Sequence, residues 1–289
     1  MNTNEQSLSR QTKEILKEYD VKLKRSLGQN YLIDGNKRDQ IIRFAGLNSE
    51  DVVLEIGSGI GTLTLAIAER ARKVVAVEQD SKICKILRAR LEDEEIDNVE
   101  IINADALSVE FPYFNKIISN LPYQISSPIT FKFLEYDFDL AVLMYQREFV
   151  DRMIAKVNTK DYSRLSAMLY YKCDVKKLTD VSCESFIPKP KVDSSVVCLK
   201  PVKNSISKRD FENYSKFTSA LFQHKNKKIR NALIDSRHMI SDIDKKVLKK
   251  RLREIDSEKI NAYLKKRVVE LTPEDIFLLS KVMRHYFVV

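Results

Sequence analysis

One run of eight residues, Glu55-Ile-Gly-Ser-Gly-Ile-Gly-Thr62, constrains this chain more than any other feature. It holds Gly57, Gly59 and Gly61, three of only six glycines in the chain. The apolar, β-branched stretch Val52–Ile56 ahead of it predicts a strand, and Leu63–Arg70 behind it predicts a helix. Glycines at such a junction permit a tight turn and let a ligand approach the backbone closely. The same alternation continues. Strands are expected at Val74–Val77, Val99–Ile102, Lys116–Ser119 and Leu140–Met144, with a helix at Ser81–Leu91. Strands separated by helices predict a parallel sheet covered on both faces. Tyr170–Val181 and Ser194–Leu199 have strand character, with Pro188 and Pro190 between them, and suggest a closing antiparallel hairpin with a long loop.

From Ser207 onward the pattern is helical only. Phe211, Tyr214, Phe217, Leu221 and Phe222 recur at steps that mark one helix face, and Thr272-Pro273-Glu274-Asp275 supplies a helix start. The expected organisation is a polar extension over residues 1–20, an α/β domain over 21–202 and a small all-α domain over 203–289. Charge follows this division. Residues 203–289 hold 21 Lys and Arg against 11 Asp and Glu, whereas the rest holds 29 against 30. A near-neutral body with a basic end suggests a polyanionic partner met mainly by the C-terminal part, and charge alone fits solvated, Lys-rich helix faces equally well.

With 44% hydrophobic residues, the 289-residue chain can bury a sizeable core. No apolar run reaches the ~18 residues of a membrane span, and the N-terminus has no apolar stretch of signal-peptide type. The expectation is a soluble, cytoplasmic protein without a membrane partner. The four cysteines form no CxxC pair and are not spaced with the three histidines, so neither a metal site nor a disulfide framework is expected.

The glycine spacing narrows the ligand. Dinucleotide binders favour G-x-G-x-x-G and phosphate-loop enzymes end in GK[ST], and neither pattern is present. Glu78 ends the next predicted strand, where a carboxylate can accept from two ribose hydroxyls. An adenosine-bearing ligand without phosphates fits these features. Asp105, at the end of the third strand, suits either an adenine amino group or a helix cap. Asn120-Leu121-Pro122-Tyr123 ends the fourth and resembles the [DNS]-P-P-[YF] signature of amino-group methyltransferases. An exocyclic adenine nitrogen is a poor nucleophile because its lone pair is delocalised into the ring. Two acceptors, the Asn120 side-chain oxygen and the Leu121 carbonyl, would draw that nitrogen toward tetrahedral geometry. Pro122 fixes the backbone, and Tyr123 offers a face on which a flipped-out base can stack.

These motifs occur in order with Leu27-Gly-Gln-Asn-Tyr-Leu-Ile-Asp34, Gln146-Arg-Glu-Phe149, Phe186-Ile-Pro-Lys-Pro-Lys-Val-Asp-Ser194 and Lys228-Ile-Arg-Asn-Ala-Leu233. Over roughly residues 22–231 the chain resembles the KsgA/Dim family of ribosomal RNA adenine dimethyltransferases. The resemblance implies a Rossmann-like, seven-stranded S-adenosylmethionine-dependent methyltransferase sheet with a small helical C-terminal domain. It implies dimethylation of two adjacent adenosines near the 3′ end of small-subunit rRNA within a pre-ribosomal 30S/40S-type particle, by a monomer. It places Gln29, Asn30 and Leu32 in the cofactor pocket with Glu55 and the three glycines. Glu78 falls on the ribose, Asp105 on the adenine and Asn120 near the methionine portion. Phe186 is expected to stack on the target base opposite Tyr123, although by its own chemistry it could equally be a core aromatic, and Lys225, Lys227, Lys228 and Arg230 are expected to meet RNA. The chain departs from the family pattern at Tyr31 (Phe is usual), at Ser182–Ser185, and at His224-Lys-Asn-Lys-Lys228, where an Arg-rich run is typical. Two rivals remain: an Erm-type enzyme of large-subunit rRNA, and a non-catalytic relative acting in assembly or transcription.

Overall fold

The computed structural model describes residues 7–21, 29–202 and 206–287. Residues 1–6 of the expected extension, Leu27 and Gly28 of the first motif, and the expected boundary near residue 203 lie outside the described residues. Among the described residues there are nine strands: β1 (Tyr31–Leu32), β2 (Val52–Ile56), β3 (Lys73–Glu78), β4 (Val99–Asn103), β5 (Lys116–Asn120), β6 (Leu140–Gln146), β7 (Cys173–Val181), β8 (Phe186–Ile187) and β9 (Ser194–Pro201). Seven of them form one sheet in the order β4-β3-β2-β5-β6-β9-β7. The first five are parallel, and β9 runs antiparallel to β6, with Gln146 opposite Ser194. The expected stretch from Tyr170 divides: Arg164–Tyr170 is helical, and the strand begins only at Cys173. β1 and β8 pair as a separate two-residue antiparallel ribbon.

The chain divides into two units. The first holds residues up to 150 and 175–201, the second residues 151–174 and everything from 202 onward. A single cut near residue 203 therefore leaves out the excursion over 151–174. In the first unit every residue of β2 is buried, as expected of a parallel strand covered on both faces. Helix Gly35–Ala45 packs Ile41, Ile42 and Ala45 into one core cluster with Val53, Ile118 and Val142. Leu87 and Leu91 of helix Ser81–Asp93 cover Ala76 of β3. Asp34 caps the first of these helices by accepting from the Lys37 N–H at 3.1 Å, and Gly46, at φ 52°, ends it in the left-handed region.

The strand order sets the position of the cleft. From β2 the chain winds outward through β3 and β4, whereas β5 and β6 lie on the other side. Connections thus part between β2 and β5, the place where open α/β sheets admit ligands at their carboxyl ends. The amino ends of these two strands are locked together. Lys116 Nζ lies 2.9 Å from Asp51 Oδ2, with side chains only 12% and 4% exposed. Asn115 Nδ2 donates to Asp51 Oδ1 at 2.9 Å and the Asn48 N–H to Asp51 Oδ2 at 2.8 Å. Toward the carboxyl ends the ladder gives way to a side chain: Ser119 Oγ accepts from the Ile56 N–H at 2.9 Å.

In the second unit, partners distant in sequence hold residues 151–174 to the later helices. Tyr214, on helix Lys208–Phe222, is fully buried and donates its hydroxyl to the Ala167 carbonyl at 2.8 Å. Its ring meets Tyr171 edge-on at 5.0 Å. Tyr162 donates to the Leu271 carbonyl at 3.0 Å and meets Phe222 edge-on. Thr272, Pro273 and Asp275 start helix Pro273–Val282 through a capping box. Among the described residues no helix is long and apolar enough to cross a membrane, and the four cysteines are free thiols.

Burial alone would raise the Asp51 carboxyl, but hydrogen bonds from Lys116 and Asn115 outweigh it and hold the group below the usual carboxylate range. Its contribution to stability is therefore present at neutral pH and is lost as pH falls through that lowered pKa. Asp51→Ala leaves the Lys116 ammonium without its counter-charge, held only by the Ala45 and Gly46 carbonyls at 3.1 and 2.9 Å, and is expected to cost about 3–5 kcal/mol in urea denaturation at neutral pH. A loss under about 1 kcal/mol would class the pair with surface ion pairs.

Candidate active site

A cleft enclosing about 1050 Å³, its open mouth included, lies at the carboxyl ends of β2, β3 and β5. The first unit brings nearly all the residues selected from sequence to its walls: Gln29, Asn30 and Leu32 on one side, Glu55, Gly57 and Gly59 along the glycine turn, Glu78 and Asp105 at strand ends, and the whole of Asn120–Tyr123. Gly61 and Phe186 are not among the lining residues.

Each glycine has a distinct reason. Gly57 sits at φ 72°, and a Cβ there would lie 3.1 Å from Pro122 Cδ. Gly59, at φ 56°, would place a Cβ 3.0 Å from the Tyr31 ring. Gly61, at φ 92°, faces inward, where a Cβ would meet Leu65 and Leu87 at 2.5 and 2.6 Å. Gly61 thus serves close packing beneath the turn. Arg90 ties the turn from below by donating to the Ile60 carbonyl. The Gly59 N–H donates to Glu78 Oε2 at 3.0 Å and the Asp80 N–H to Oε1 at 2.9 Å. A carboxylate has about four acceptor sites, so Glu78 keeps capacity for ribose hydroxyls. Burial raises its pKa, against the pull of these N–H groups. Asp105 accepts from the Leu107 N–H at 2.9 Å, so it caps its own turn while facing the cleft.

The cleft walls also collect buried polar atoms without partners. Among the described residues, Tyr31 Oη, Glu55 Oε2, Ser58 Oγ, Thr62 Oγ1 and Thr64 Oγ1 make no hydrogen bond, and the first four belong to lining residues. Buried polar groups in folded proteins are nearly always paired, so this concentration marks a surface shaped for a polar ligand. Glu55 is the floor. Burial pushes its carboxyl up to about 8; the neighbouring Thr64 hydroxyl offsets part of the rise without completing a well-formed hydrogen bond. A glycine cradle, a ribose-suited carboxylate, unmet donors and acceptors, and no phosphate loop together fit S-adenosylmethionine. Tyr31, Ser58 and Thr62 escaped the sequence selection. Only the departure from Phe at position 31 signalled one of them.

The Asn120 amide is oriented by the protein. Its Nδ2 donates to the Asn30 carbonyl at 2.9 Å, which leaves Oδ1 as the accepting end. Asn30 is itself held by the β1–β8 ribbon, extended by the Ile33 N–H donating to the Ser185 carbonyl at 2.8 Å. Pro122 has φ −58°, and the chain then enters a 3-10 turn over Tyr123–Ile125. Tyr123 Oη lies 2.7 Å from Ser194 Oγ, a contact that fixes the ring. The residue before Ser194 is clamped as well. Asp193 Oδ2 lies 2.9 Å from Arg147 Nη2, and Asp193 Oδ1 accepts from the Cys183 N–H at 3.0 Å. The Gln146–Phe149 and Lys191–Ser194 motifs thus meet as one support for Tyr123.

Phe186 does not stand opposite Tyr123 as an open platform. It is 2% exposed, pairs across the ribbon with Leu32, and belongs to the core cluster of Ile41, Val53 and Val142. A ring covered on all sides by apolar neighbours braces the segment that presents Asn30. The four cations expected to meet RNA lie in the second unit, three of them with polar partners inside it. Lys225 Nζ donates to the carbonyls of Lys160 and Tyr162 at 2.8 and 3.4 Å, Lys227 Nζ lies 2.9 Å from Asp235 Oδ2, and Arg230 reaches Asn261 Oδ1 at 3.4 Å. Lys228 forms an isolated bridge with Arg267 through the backbone.

The mostly parallel seven-stranded sheet, with antiparallel β9 between β6 and the edge strand β7, is that of a Rossmann-like methyltransferase. A profile of the ribosomal RNA adenine dimethylases matches residues 20–268, and the chain belongs to that family. It is 48% identical over 272 residues to a probable ribosomal RNA small subunit methyltransferase A of Methanosphaera stadtmanae, covering 94% of this chain and 97% of the relative. The protein of the same description from Methanothermobacter thermautotrophicus is also 48% identical, with 94% of each chain covered. Among solved structures, a dimethyladenosine transferase from Plasmodium falciparum superposes with TM-score 0.74 at 30% identity, over 88% of this chain and 98% of that one. The 23S rRNA methyltransferase ErmE gives 0.62 at 27% identity, over 87% and 98%.

Two measurements probe the site. A carboxyl whose folded pKa is raised to about 8 stabilises the fold fully below its ordinary value of 4.5 and loses that contribution as pH rises through 8. Stability of the ligand-free protein is therefore expected to decline over this window, and Glu55→Gln to flatten the decline. Parallel pH profiles for the two proteins would show that Glu55 is not the titrating group. Phe186→Ala is expected to cost about 3–5 kcal/mol of stability, read by urea denaturation, because it opens a cavity in the core. A pure stacking residue would leave stability unchanged.

Proposed function

We propose that this chain transfers methyl groups from S-adenosylmethionine to the N6 amines of two adjacent adenosines near the 3′ end of small-subunit rRNA, in an immature small ribosomal particle. The observation that carries the reading is the Asn120 amide, whose nitrogen is committed to the Asn30 carbonyl so that its oxygen is the end left to accept. Membership of the adenine dimethylase family and the likeness to relatives described as small subunit methyltransferases support the substrate. The large-subunit alternative is less well supported: Leu121 and the continuous Lys191-Val-Asp-Ser194 run match the small-subunit pattern.

When bound, S-adenosylmethionine supplies an electrophilic methyl on a sulfonium. The chain's own residues do the remainder. Gly57 and Gly59 let the ligand approach the backbone, Glu78 takes its ribose, and Asp105 its adenine. Asn120 Oδ1 and the Leu121 carbonyl accept the two N6 hydrogens of the target base and free the nitrogen lone pair toward the donor. Tyr123, fixed by Ser194, stacks on the base. No strong base is required, because the nitrogen loses its proton after becoming cationic. The rate gain comes from positioning and from placed acceptors.

Labelled S-adenosylmethionine incubated with immature small subunits is expected to yield N6,N6-dimethyladenosine on nucleoside analysis. Label confined to large-subunit rRNA would favour the Erm-type alternative. Asn120→Ala is expected to lower turnover about 10²–10³-fold, as removal of one placed polar group does elsewhere, with cofactor affinity by calorimetry changed far less. Equal turnover would remove the acceptor role.

A further inference from the structure

Helix Lys245–Arg253 has the sequence Lys-Lys-Val-Leu-Lys-Lys-Arg-Leu-Arg, six cations in nine residues with no acid among them. Its packing is settled by Leu248 and Leu252, both 0% exposed, and by Asp244, which caps the start. The opposite face carries Lys246, Lys249, Lys250 and Arg253, at the i, i+3, i+4, i+7 spacing that aligns side chains along one side of a helix. All four are exposed and line one shallow surface depression, whose only acidic wall residue is Glu254. Glu254 stands 3.9 Å from Lys250, in a pair exposed on both sides. Among the described residues, the side chains of Lys246, Lys249 and Arg253 enter no ion pair.

Neighbouring cations are treated differently. Asp235 takes Lys227 at 2.9 Å and Lys245 at 3.5 Å, and these pairings hold its carboxyl below the usual range. Arg251 donates to the Tyr286 carbonyl. The fold thus neutralises or anchors the cations around this face and leaves the face itself as a single-sign row. Like charges three and four apart on a helix repel and oppose its formation. A row retained against that repulsion, with Glu254 on Lys250 as the one acidic residue in its wall, is suited to an external polyanion.

We propose that the Lys246–Lys249–Lys250–Arg253 face is a docking surface for the phosphodiester backbone of the RNA substrate, an inference that rests on the methyltransferase reading above. The contact is sequence-independent. It sets how tightly the particle is held and takes no part in methyl transfer.

The test uses the full chain with Lys246, Lys249, Lys250 and Arg253 all changed to Gln, and a control in which the exposed Lys13, Lys17, Lys85 and Arg88 are changed to Gln. Binding to an unmethylated small-subunit rRNA transcript is measured across a salt series. Neutralising the face is expected to weaken binding at least about tenfold and to make the log–log salt slope shallower by about 3, at roughly 0.7–0.9 for each phosphate that no longer meets a cation. Calorimetric affinity for S-adenosylmethionine should be unchanged, and the melting temperature equal to or above that of the unaltered chain. An unchanged slope, an equal loss in the control, or a fall in melting temperature that accounts for weaker binding would each overturn the proposal. Slope and affinity are read without turnover. A shallower slope in a chain that methylates no RNA would sink the methyltransferase reading and leave the surface standing.

Discussion

The structure depends on a divergence between two neighbouring strands. β2 and β5 are clamped at their amino ends by the buried Asp51–Lys116 pair and its amide partners, and at their carboxyl ends the backbone ladder is replaced by a single serine hydroxyl. A parallel sheet whose connections part there leaves a gap that its own helices do not cover. The glycine turn, Glu78 and the Asn120–Tyr123 segment all leave strand ends bordering that gap. Chemistry-bearing residues from three separate segments therefore share one cleft without being adjacent in sequence.

The cleft is also where the fold tolerates what it avoids elsewhere. Four of the five buried, unpaired side-chain polar atoms among the described residues belong to its lining, and Glu55 beneath it is held largely as the neutral acid. Local rules of good packing are commonly broken at functional sites and satisfied elsewhere. Around the cleft the satisfaction is thorough. Arg147 holds Asp193, the adjacent Ser194 holds Tyr123, and the Asn120 amide is bonded to the Asn30 carbonyl.

The parallel strands were legible in the sequence because each is a short, β-branched, largely apolar run followed by a helix start. The glycine spacing and the two carboxylates at strand ends likewise predicted the cleft lining. Three matters were not legible, for a common reason. Phe186 read as a platform from its place before the Pro-Lys-Pro-Lys-Val-Asp run, with a core position as the alternative, and the core position comes from a ribbon partner, Leu32, far earlier in the chain. Residues 151–174 looked continuous with the sheet, but Tyr214 and Leu271, far downstream, draw them into the helical unit. The partners of Lys225 and Lys227, two carbonyls and a carboxylate, come from elsewhere in the chain and leave no mark on the local sequence. Local pattern reports what a residue can do. Its long-range partner decides what remains available.

The contact between Gly57 and Pro122 has a consequence for how such a protein can change over time. With 3.1 Å between a hypothetical methyl group at position 57 and the proline ring, the glycine turn and the Asn120–Tyr123 segment pack as one mechanical part. Neither can drift alone. A substitution tolerated on one side must be answered on the other, so a lineage acquiring a different nucleobase target would have to rebuild both sides together.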